Sequence, residues 1–349
     1  MRRFRLLVIL GVFFVFIQVA SAQPSRRDNY WSVGLSLNTF NYFGDLAPLT
    51  NIFSTKIKFT RPNFGLEVSK KIGSRFHLRG AFSYGRLKGD DNEAADPAKE
   101  ESIGRWGRNL SFRNDVYELS AVLIYEFLPS RGRFYRRRYI SPYLLAGIGG
   151  FYHNPKGKVP DNFNGPEAGE WVNLRPLRTE GQGLTRQFGP DAGTQYDSQY
   201  SLIQMAVPLG YGVRFRLSDR LDLSFEMAFR LLFFDHIDDV GGRYPDIRDL
   251  ESDLARTMYD RSAEAVGVLT GDARTPNSAT GGTTSLYGID QGNESILVDF
   301  PGYTRWASYG LRGQIRGNTP SENDMYIVTG FHLNYILTTK RHPRYKSRF

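Results

Sequence analysis

Large apolar side chains occupy every odd-numbered position from Leu221 to Phe233. The even positions hold mostly small, polar or charged residues: Asp222, Ser224, Glu226, Ala228, Arg230 and Leu232. A period of two places these two sets on opposite faces of one β-strand. Charges along the back of so long a strand are typical of a closed membrane barrel, which is apolar outside and polar inside.

The first residues have the organisation of a secretory signal. Arginines at positions 2, 3 and 5 precede an apolar stretch over residues 6–20, and Ala20-Ser21-Ala22 provides a small-x-small cleavage site. We therefore expect residues 1–22 to be a cleaved signal peptide. The chain has no cysteine, which excludes disulfides, zinc–thiolate sites, thiol nucleophiles and a lipidated N-terminal cysteine.

Composition indicates strands rather than helices as membrane-crossing elements. After residue 22 no stretch approaches the roughly 18 consecutive apolar residues of a spanning helix. Aromatic residues nevertheless make up 14% of the chain, with 20 Tyr, 25 Phe and 36 Gly. A barrel combines many aromatics with modest hydropathy because only alternate strand residues face lipid.

Eight segments carry strand patterns: residues 30–38, 63–69, 76–84, 115–127, 141–152, 200–215, 221–233 and 325–337. The connections between them are alternately long and short, so the sequence predicts an all-β fold, a transmembrane antiparallel up-and-down β-barrel of eight strands. Residues 23–337 would form the barrel, with its longest loops at 153–199 and 235–323 outside the cell. The short turns and a basic tail, residues 338–349, would lie in the periplasm. Residues 296–298 and 303–311 could be further strands, so a count of ten stays open.

The strand parity also predicts which charges point into the barrel. An eight-stranded barrel is just filled by its side chains, which argues against a diffusion pore. Charges buried there need partners. A structural ion-pair network and a proton or ion path both remain open for these charges: Glu67, Arg79, Glu118, Glu226 and Arg230.

A second group of charges lies on one predicted periplasmic turn: Arg131, Arg133, Arg136, Arg137 and Arg138. Nucleic acid is not an expected partner of an exported membrane protein, in spite of the net charge of +9. Two interpretations stay open. The turn docks an acidic periplasmic partner or lipid phosphate, or it is simply a solvated rim.

The sequence offers little that resembles a catalytic, metal or cofactor site. His77 and His332 fall on inward strand positions, where a structural role is expected. Asp235, His236 and Asp238 could bind a cation or perform acid–base chemistry at the outer rim, or form a solvated strand exit. No Gly-x-Ser-x-Gly nucleophile turn occurs. We therefore predict no enzyme activity, no cofactor, no metal and no small-molecule substrate.

Several loop motifs resemble a known family. They include Tyr42-Phe43-Gly44-Asp45-Leu46, Arg108-Asn109-Leu110, the run from Trp171 to Gly183, Asp238-Asp239 and Arg316-Gly317-Asn318. These segments are similar to the Bacteroidota outer-membrane barrels that include PorG of the type IX secretion system. The resemblance marks these loop residues: Gly44, Asp45, Asn109, Trp171, Glu180, Gly181, Asp238, Asp239, Arg316, Gly317 and Asn318. The basic tail departs from the family pattern.

The resemblance implies a non-enzymatic outer-membrane component, in contact with outer-membrane lipid and associated with a periplasmic lipoprotein ring of the secretion or gliding machinery. Two alternatives remain. One is a general OmpA-like barrel for envelope anchoring or surface adhesion. The other is a lipid-modifying enzyme that uses Asp235, His236 and Asp238.

Overall fold

The computed structural model describes residues 29–47, 57–96, 99–130, 134–262, 264, 266–273, 287–289, 295–297, 312–317 and 323–337. The predicted signal peptide and basic tail lie outside the described residues. So do Arg131, Arg133 and Asn318.

Eight long strands form the body of the protein. They are β1 (Trp31–Phe43), β2 (Arg61–Ile72), β3 (Phe76–Asp90), β4 (Ser111–Glu126), β5 (Ile140–Tyr152), β6 (Ile203–Arg216), β7 (Leu221–Leu232) and β8 (Met325–Leu337). Each strand pairs antiparallel with its neighbours in sequence. The pairing of β1 with β8 closes the sheet, from Trp31 opposite Leu337 to Phe43 opposite Met325. The predicted closed eight-stranded up-and-down barrel is confirmed.

Strands β3 and β4 are longer than the alternation predicts. They pair as far as Asp90 opposite Ser111, well beyond the apolar outward positions. The outward residues there are charged, with Arg86 paired to Asp115 at 2.7 Å. The prediction limited both strands to the region in which the outward residues are apolar. The strands continue because each supplies the other with backbone partners.

Of the two additional strands considered from the sequence, the described part of the first is not in the barrel, because Ser295–Leu297 pairs with Tyr287–Ile289 in a separate two-stranded sheet. The second, residues 303–311, lies outside the described residues. Two short strands of the loops, Pro155–Lys158 and Trp171–Asn173, instead extend the sheet beside β4.

Side chains alternate between the two faces of the barrel wall as predicted for β7, where the even positions from Asp222 to Leu232 are buried. Strand β5, whose orientation its glycines left ambiguous, turns Tyr143, Leu145 and Phe151 inward. Its Gly147 lies against β4, since a Cβ at this position would collide with the carbonyl oxygen of Ala121. Among the described residues, no helix is long and apolar enough to cross a membrane.

The long loops fold into a cap over one open end of the barrel. The cap contains the helices α1 (Asp91–Ala94), α2 (Glu100–Arg108) and α3 (Asp253–Tyr259). Single 3-10 turns occur at Ile57–Phe59, Arg175–Leu177 and Ile247–Asp249 in the loops, and at Phe134–Arg136 in a short turn. Under the cap, an apolar cluster fills the barrel mouth, where the rings of Phe40 and Phe151 pack on Tyr326 at 5.2 and 6.2 Å. The cap therefore seals the barrel rather than leaving it open.

Candidate functional site

The middle of the barrel contains an ion-pair network centred on Arg79. Its guanidinium donates two hydrogen bonds of 2.8 Å to Glu226 and lies 3.6 Å from Glu67. His332 contacts the same Glu67 at 2.8 Å. One layer closer to the cap, Arg230 pairs with Glu118 at 3.0 Å. The structure thus brings all five predicted interior charges into two adjacent ion-pair groups.

A third group of interior charges lies near the short turns, and of its members only His77 was predicted to point inward. Arg214 donates to Glu126 at 2.5 Å, and Lys71 and His77 lie 3.6 and 3.2 Å from the same carboxylate. The space that remains beside Arg79 and Arg214 is about 10 Å³, room for a single water at most. Little space for a solute therefore remains beside these two arginines.

The cap is organised around the buried guanidinium of Arg316. It donates to the Asp239 carbonyl at 2.7 Å, to the Thr179 hydroxyl at 2.9 Å and to the Tyr259 carbonyl at 3.2 Å. It also lies 3.5 Å from the carboxylate of Glu180. Arg316 therefore connects the loop between β5 and β6 with separate segments of the loop between β7 and β8.

Both acids around Arg316 have further partners. Asp239 accepts from the hydroxyls of Thr179 and Tyr200, each at 2.6 Å, and adopts a positive φ of 70°. Glu180 accepts from the Gly241 amide at 3.1 Å and contacts His236 at 3.3 Å. Burial acts to lower the pKa of His236, but Glu180, followed by Asp239 and Asp238, raises it to about 9.

Arg108 links this region to the rest of the cap. It forms two hydrogen bonds with Asp91, at 2.7 and 2.8 Å, and donates to the carbonyls of Arg316 and Asp45 at 2.6 and 2.9 Å. The next residue, Asn109, ends helix α2 with a left-handed φ of 58°. Its side-chain amide donates to the carbonyls of Arg261 and Val266.

A group of carboxylates lies at the junction of cap and barrel: Asp45, Asp235, Asp238 and Asp324. The hydroxyl of Tyr42 bridges two of them, with distances of 2.5 Å to Asp238 and 3.1 Å to Asp324. Burial, followed by Asp45, raises the pKa of Asp235 to about 8. The same two causes raise the pKa of Asp238 well above its ordinary range. Burial and the neighbouring carboxylates thus favour the protonated forms of Asp235 and Asp238.

The remaining loop residues that the resemblance marks pack into the same cap. Gly44 and Gly317 lie against carboxylates, since a Cβ on Gly44 would meet Asp324 and one on Gly317 would meet Asp45. Gly181 has a positive φ of 74°. The ring of Trp171 lies 4.1 Å from the Arg113 guanidinium. Ten of the eleven marked residues thus lie in the cap, and the eleventh, Asn318, lies outside the described residues.

The candidate acid–base residues do not form a catalytic arrangement with one another. His236 pairs with Glu180 and stacks on Tyr200 at 5.1 Å, while Asp238 accepts from Tyr42 and from the Val240 amide. Within the part of the chain that the structure describes, no group of three His, Asp or Glu residues could hold a metal ion.

The predicted docking turn requires one correction. Arg137 is buried, with 6% of its surface exposed. It pairs with Asp222 at 2.8 Å and donates to the carbonyls of Asp219 and Ser218. It therefore fastens one short turn to another and cannot dock a partner. Arg136 and Arg138 are exposed.

The outer wall of the barrel carries an apolar band with aromatic residues at both ends. Toward the cap, Tyr84, Tyr117 and Tyr152 stand side by side on β3, β4 and β5, with ring centroids 4.9 and 6.3 Å apart. Toward the short turns lie Trp31, Tyr139 and Tyr335, all exposed. The residues between them include Leu35, Leu66, Leu119, Ile148 and Phe331, each more than half exposed.

Comparison with known proteins gives a partial family match. Residues 6–162 match a family described as "Domain of unknown function (DUF6089)". The match covers the first five strands but not Trp171, Glu180, Asp238 or Arg316. No curated protein matches the sequence.

Solved structures with similar folds are outer-membrane proteins. Neisserial surface protein A has a TM-score of 0.33 at 10% identity, over 87% of this chain and 96% of its own. OprG from Pseudomonas aeruginosa has a TM-score of 0.30 at 7% identity, over 90% and 99%. Ail of Yersinia pestis has 0.30 at 11%, over 59% and 90%. Because these TM-scores are low, the barrel assignment rests on the strand pairing described above.

Proposed function

We propose that this protein is a non-enzymatic β-barrel of the outer membrane. The observation that carries this proposal is the apolar band between two aromatic rows, wrapped around an interior of paired charges. Lipid can contact the band, while the eight strands of the barrel wall expose no open strand edge to it, because β1 and β8 close the sheet. The short turns would face the periplasm and the cap would face the outside.

The finer proposal is an accessory role in type IX secretion. The resemblance of the loop motifs to barrels of that system supports it, and so does the packed interior. A barrel filled with ion pairs is unsuited to conduct solutes. Such a barrel can instead act through its surface by binding a partner. Its exposed arginines on the short-turn side, Arg136 and Arg138, suit an acidic face of a periplasmic lipoprotein ring.

A gene deletion followed by complementation tests this role. Loss of the gene should deplete secreted proteins from the medium, and the intact gene should restore them. The double variant Arg136→Glu/Arg138→Glu should restore secretion poorly and lose co-purification with the ring. A control with two charge reversals on the cap, Lys99→Glu/Arg243→Glu, should behave like wild type, because both side chains are exposed at the opposite end.

Each arm of the experiment rejects a different part of the proposal. Unchanged secretion after deletion would reject the secretion role, and a simultaneous loss of surface adhesion would favour a general adhesion barrel. Normal secretion by the Arg136→Glu/Arg138→Glu variant would reject only the docking surface.

A further inference from the structure

One part of the lipid-facing wall is concave. A groove of about 680 Å³ runs over the outer face of β4, β3, β2, β1, β8 and β7, and its lining is almost entirely apolar. Six of the lining residues are Val33, Leu35, Leu66, Val68, Gly80 and Leu333. Gly80 contributes to the hollow, since a Cβ placed there would meet no atom within 4 Å.

Two cations lie next to the lining on the short-turn side: Lys70 is two positions after Val68, and Arg220 directly precedes Leu221. The ammonium of Lys70 lies 5.1 Å from the centre of the Trp31 ring, and the guanidinium of Arg220 donates to the hydroxyl of Tyr335 at 3.1 Å. The strand register places them in one row across the wall. Lys70 is opposite Trp31, Trp31 is opposite Leu337, and the carbonyl of Arg220 accepts from the amide of Ile336.

The charges of these two residues are not neutralised by a carboxylate in the described part of the chain. The neighbouring arginines differ in this respect, because Arg216 pairs with Asp219 at 2.6 Å and Arg137 pairs with Asp222 at 2.8 Å. Two uncompensated cations therefore lie where the apolar band ends. A ligand that matches this arrangement has an anionic head and long apolar chains.

We propose that this groove binds an anionic glycerophospholipid, with its acyl chains along Val33, Leu35 and Val68 and its phosphate between Lys70 and Arg220. The proposal rests on the outer-membrane location proposed above. The aromatic rings of Trp31 and Tyr335 hold the two cations at the level of the headgroups. A free anion would be bound by the two cations alone. A phospholipid would gain further binding free energy by burying its acyl chains in the apolar groove.

The test is a titration of the purified protein, in non-ionic detergent, with phosphatidylglycerol, followed by native mass spectrometry. The substitutions Lys70→Gln and Arg220→Gln should each weaken binding about fivefold, and together about 25-fold, as expected for the loss of one cation at a charged interface. Gly80→Leu should fill the groove without disturbing the wall. It should weaken binding roughly four- to fifteen-fold by displacing one or two methylene contacts.

A matched control exists on the same rim. Arg75 donates to the hydroxyl of Tyr125 at 2.6 Å, and this ring, unlike that of Tyr335, does not line the groove. Arg75→Gln should therefore bind phosphatidylglycerol like wild type. Phosphatidylcholine should bind more weakly than phosphatidylglycerol, and inorganic phosphate should not displace the lipid. Folding of every variant is checked by its heat-dependent migration in gel electrophoresis.

The inference is overturned if the Lys70→Gln/Arg220→Gln and Gly80→Leu variants retain the lipid as wild type does. It is also overturned if the groove is occupied by a second copy of the chain, seen as a lipid-free dimer. A wild-type protein that inserts into vesicles but binds no phosphatidylglycerol rejects this site alone. A wild-type protein that does not insert at all rejects the membrane function too.

Discussion

The barrel interior and the cap junction both bury carboxylates, but they balance them differently. In the interior each of the acids Glu67, Glu118 and Glu226 contacts an arginine at 3.6 Å or less. At the junction, Asp238 and Asp324 share the Tyr42 hydroxyl. Burial raises the pKa of both carboxyls, followed by the charge of Asp45 for Asp238 and by that of Asp238 for Asp324. Arginines neutralise the carboxylates of the interior, whereas raised pKa values favour the protonated, uncharged forms of the carboxyls at the junction.

This difference suggests two kinds of stability in one molecule. Breaking an ion pair in the interior leaves a buried charge that has no compensation, so the wall should resist opening at all physiological pH values. The junction depends on protonation, so the cap should loosen when protons are withdrawn. The cap can therefore open locally while the barrel stays closed.

The largest effect is expected from Arg79→Met, which leaves Glu67 and Glu226 without their shared guanidinium. We expect a loss of about 3–5 kcal/mol in the free energy of unfolding, measured by urea denaturation in detergent micelles. The control Arg75→Met removes an arginine of the rim and should cost less than about 1 kcal/mol. Equal stability of the Arg79→Met and wild-type proteins would mean that the network does not hold the barrel together.

The cap counterpart is Arg316→Met. Loss of its hydrogen bonds to Thr179 and Asp239 should destabilise the cap by about 3 kcal/mol while leaving the strands intact. Hydrogen exchange should accelerate in residues 177–182 and 238–242 but not in β7. The exposed Arg243, which donates to the Gly313 carbonyl, provides the control Arg243→Met. Accelerated exchange throughout the barrel would show that cap and wall unfold as one unit.

The pH dependence separates the two regions more finely. The pKa of Asp235 rises from its ordinary 3.8 to about 8, and that of His236 from 6.5 to about 9. Both groups bind protons more tightly in the closed cap, so their stabilisation is complete below their ordinary pKa values. It is lost as the pH rises through about 8 and 9.

We therefore expect exchange in residues 235–242, corrected for its intrinsic pH dependence, to accelerate from pH 6 to pH 9, while β7 shows no such change. The variant Asp235→Asn should flatten the part of this dependence below pH 8. The contrary finding would be a cap that becomes more protected as the pH rises.

The smallest effect is expected at the edge of the cap. Trp171→Leu removes the ring that faces the Arg113 guanidinium at 4.1 Å, a contact that contributes about 0.5–1 kcal/mol at a half-exposed site. Thermal unfolding should show only a slight shift, and exchange in residues 171–173 should rise locally. A shift as large as that of Arg79→Met would assign Trp171 to the core of the structure.

The strands could be predicted from the sequence because their signal is local. Alternation gave β8 its observed bounds, Met325–Leu337, and placed Glu226 and Arg230 inside. The orientation of β5 could not be predicted from alternation, because its glycines have no side chain that indicates a face. The alternation of β4 also places Glu126 inside the barrel. The prediction did not include this residue because it lies at the end of the strand.

The cap could not be predicted in the same way. The contacts of Arg316 with Thr179 and Asp239 join loop segments separated by 137 and 77 positions. Contacts between residues so far apart leave no periodic pattern in the sequence. The family resemblance marked several of these residues without indicating that they touch. Arg137 shows the same limit, because only tertiary structure distinguishes it from the exposed Arg136 and Arg138 beside it.

The alternation of β7 between lipid and barrel interior is the central claim. The chain has no cysteine, so a single cysteine can be placed at each position from 221 to 233 and spin-labelled in lipid vesicles. Collisions with dissolved oxygen should be frequent at the odd positions and rare at the even ones. Uniform access of a water-soluble nickel complex, or a period of three to four residues, would contradict a membrane-spanning barrel.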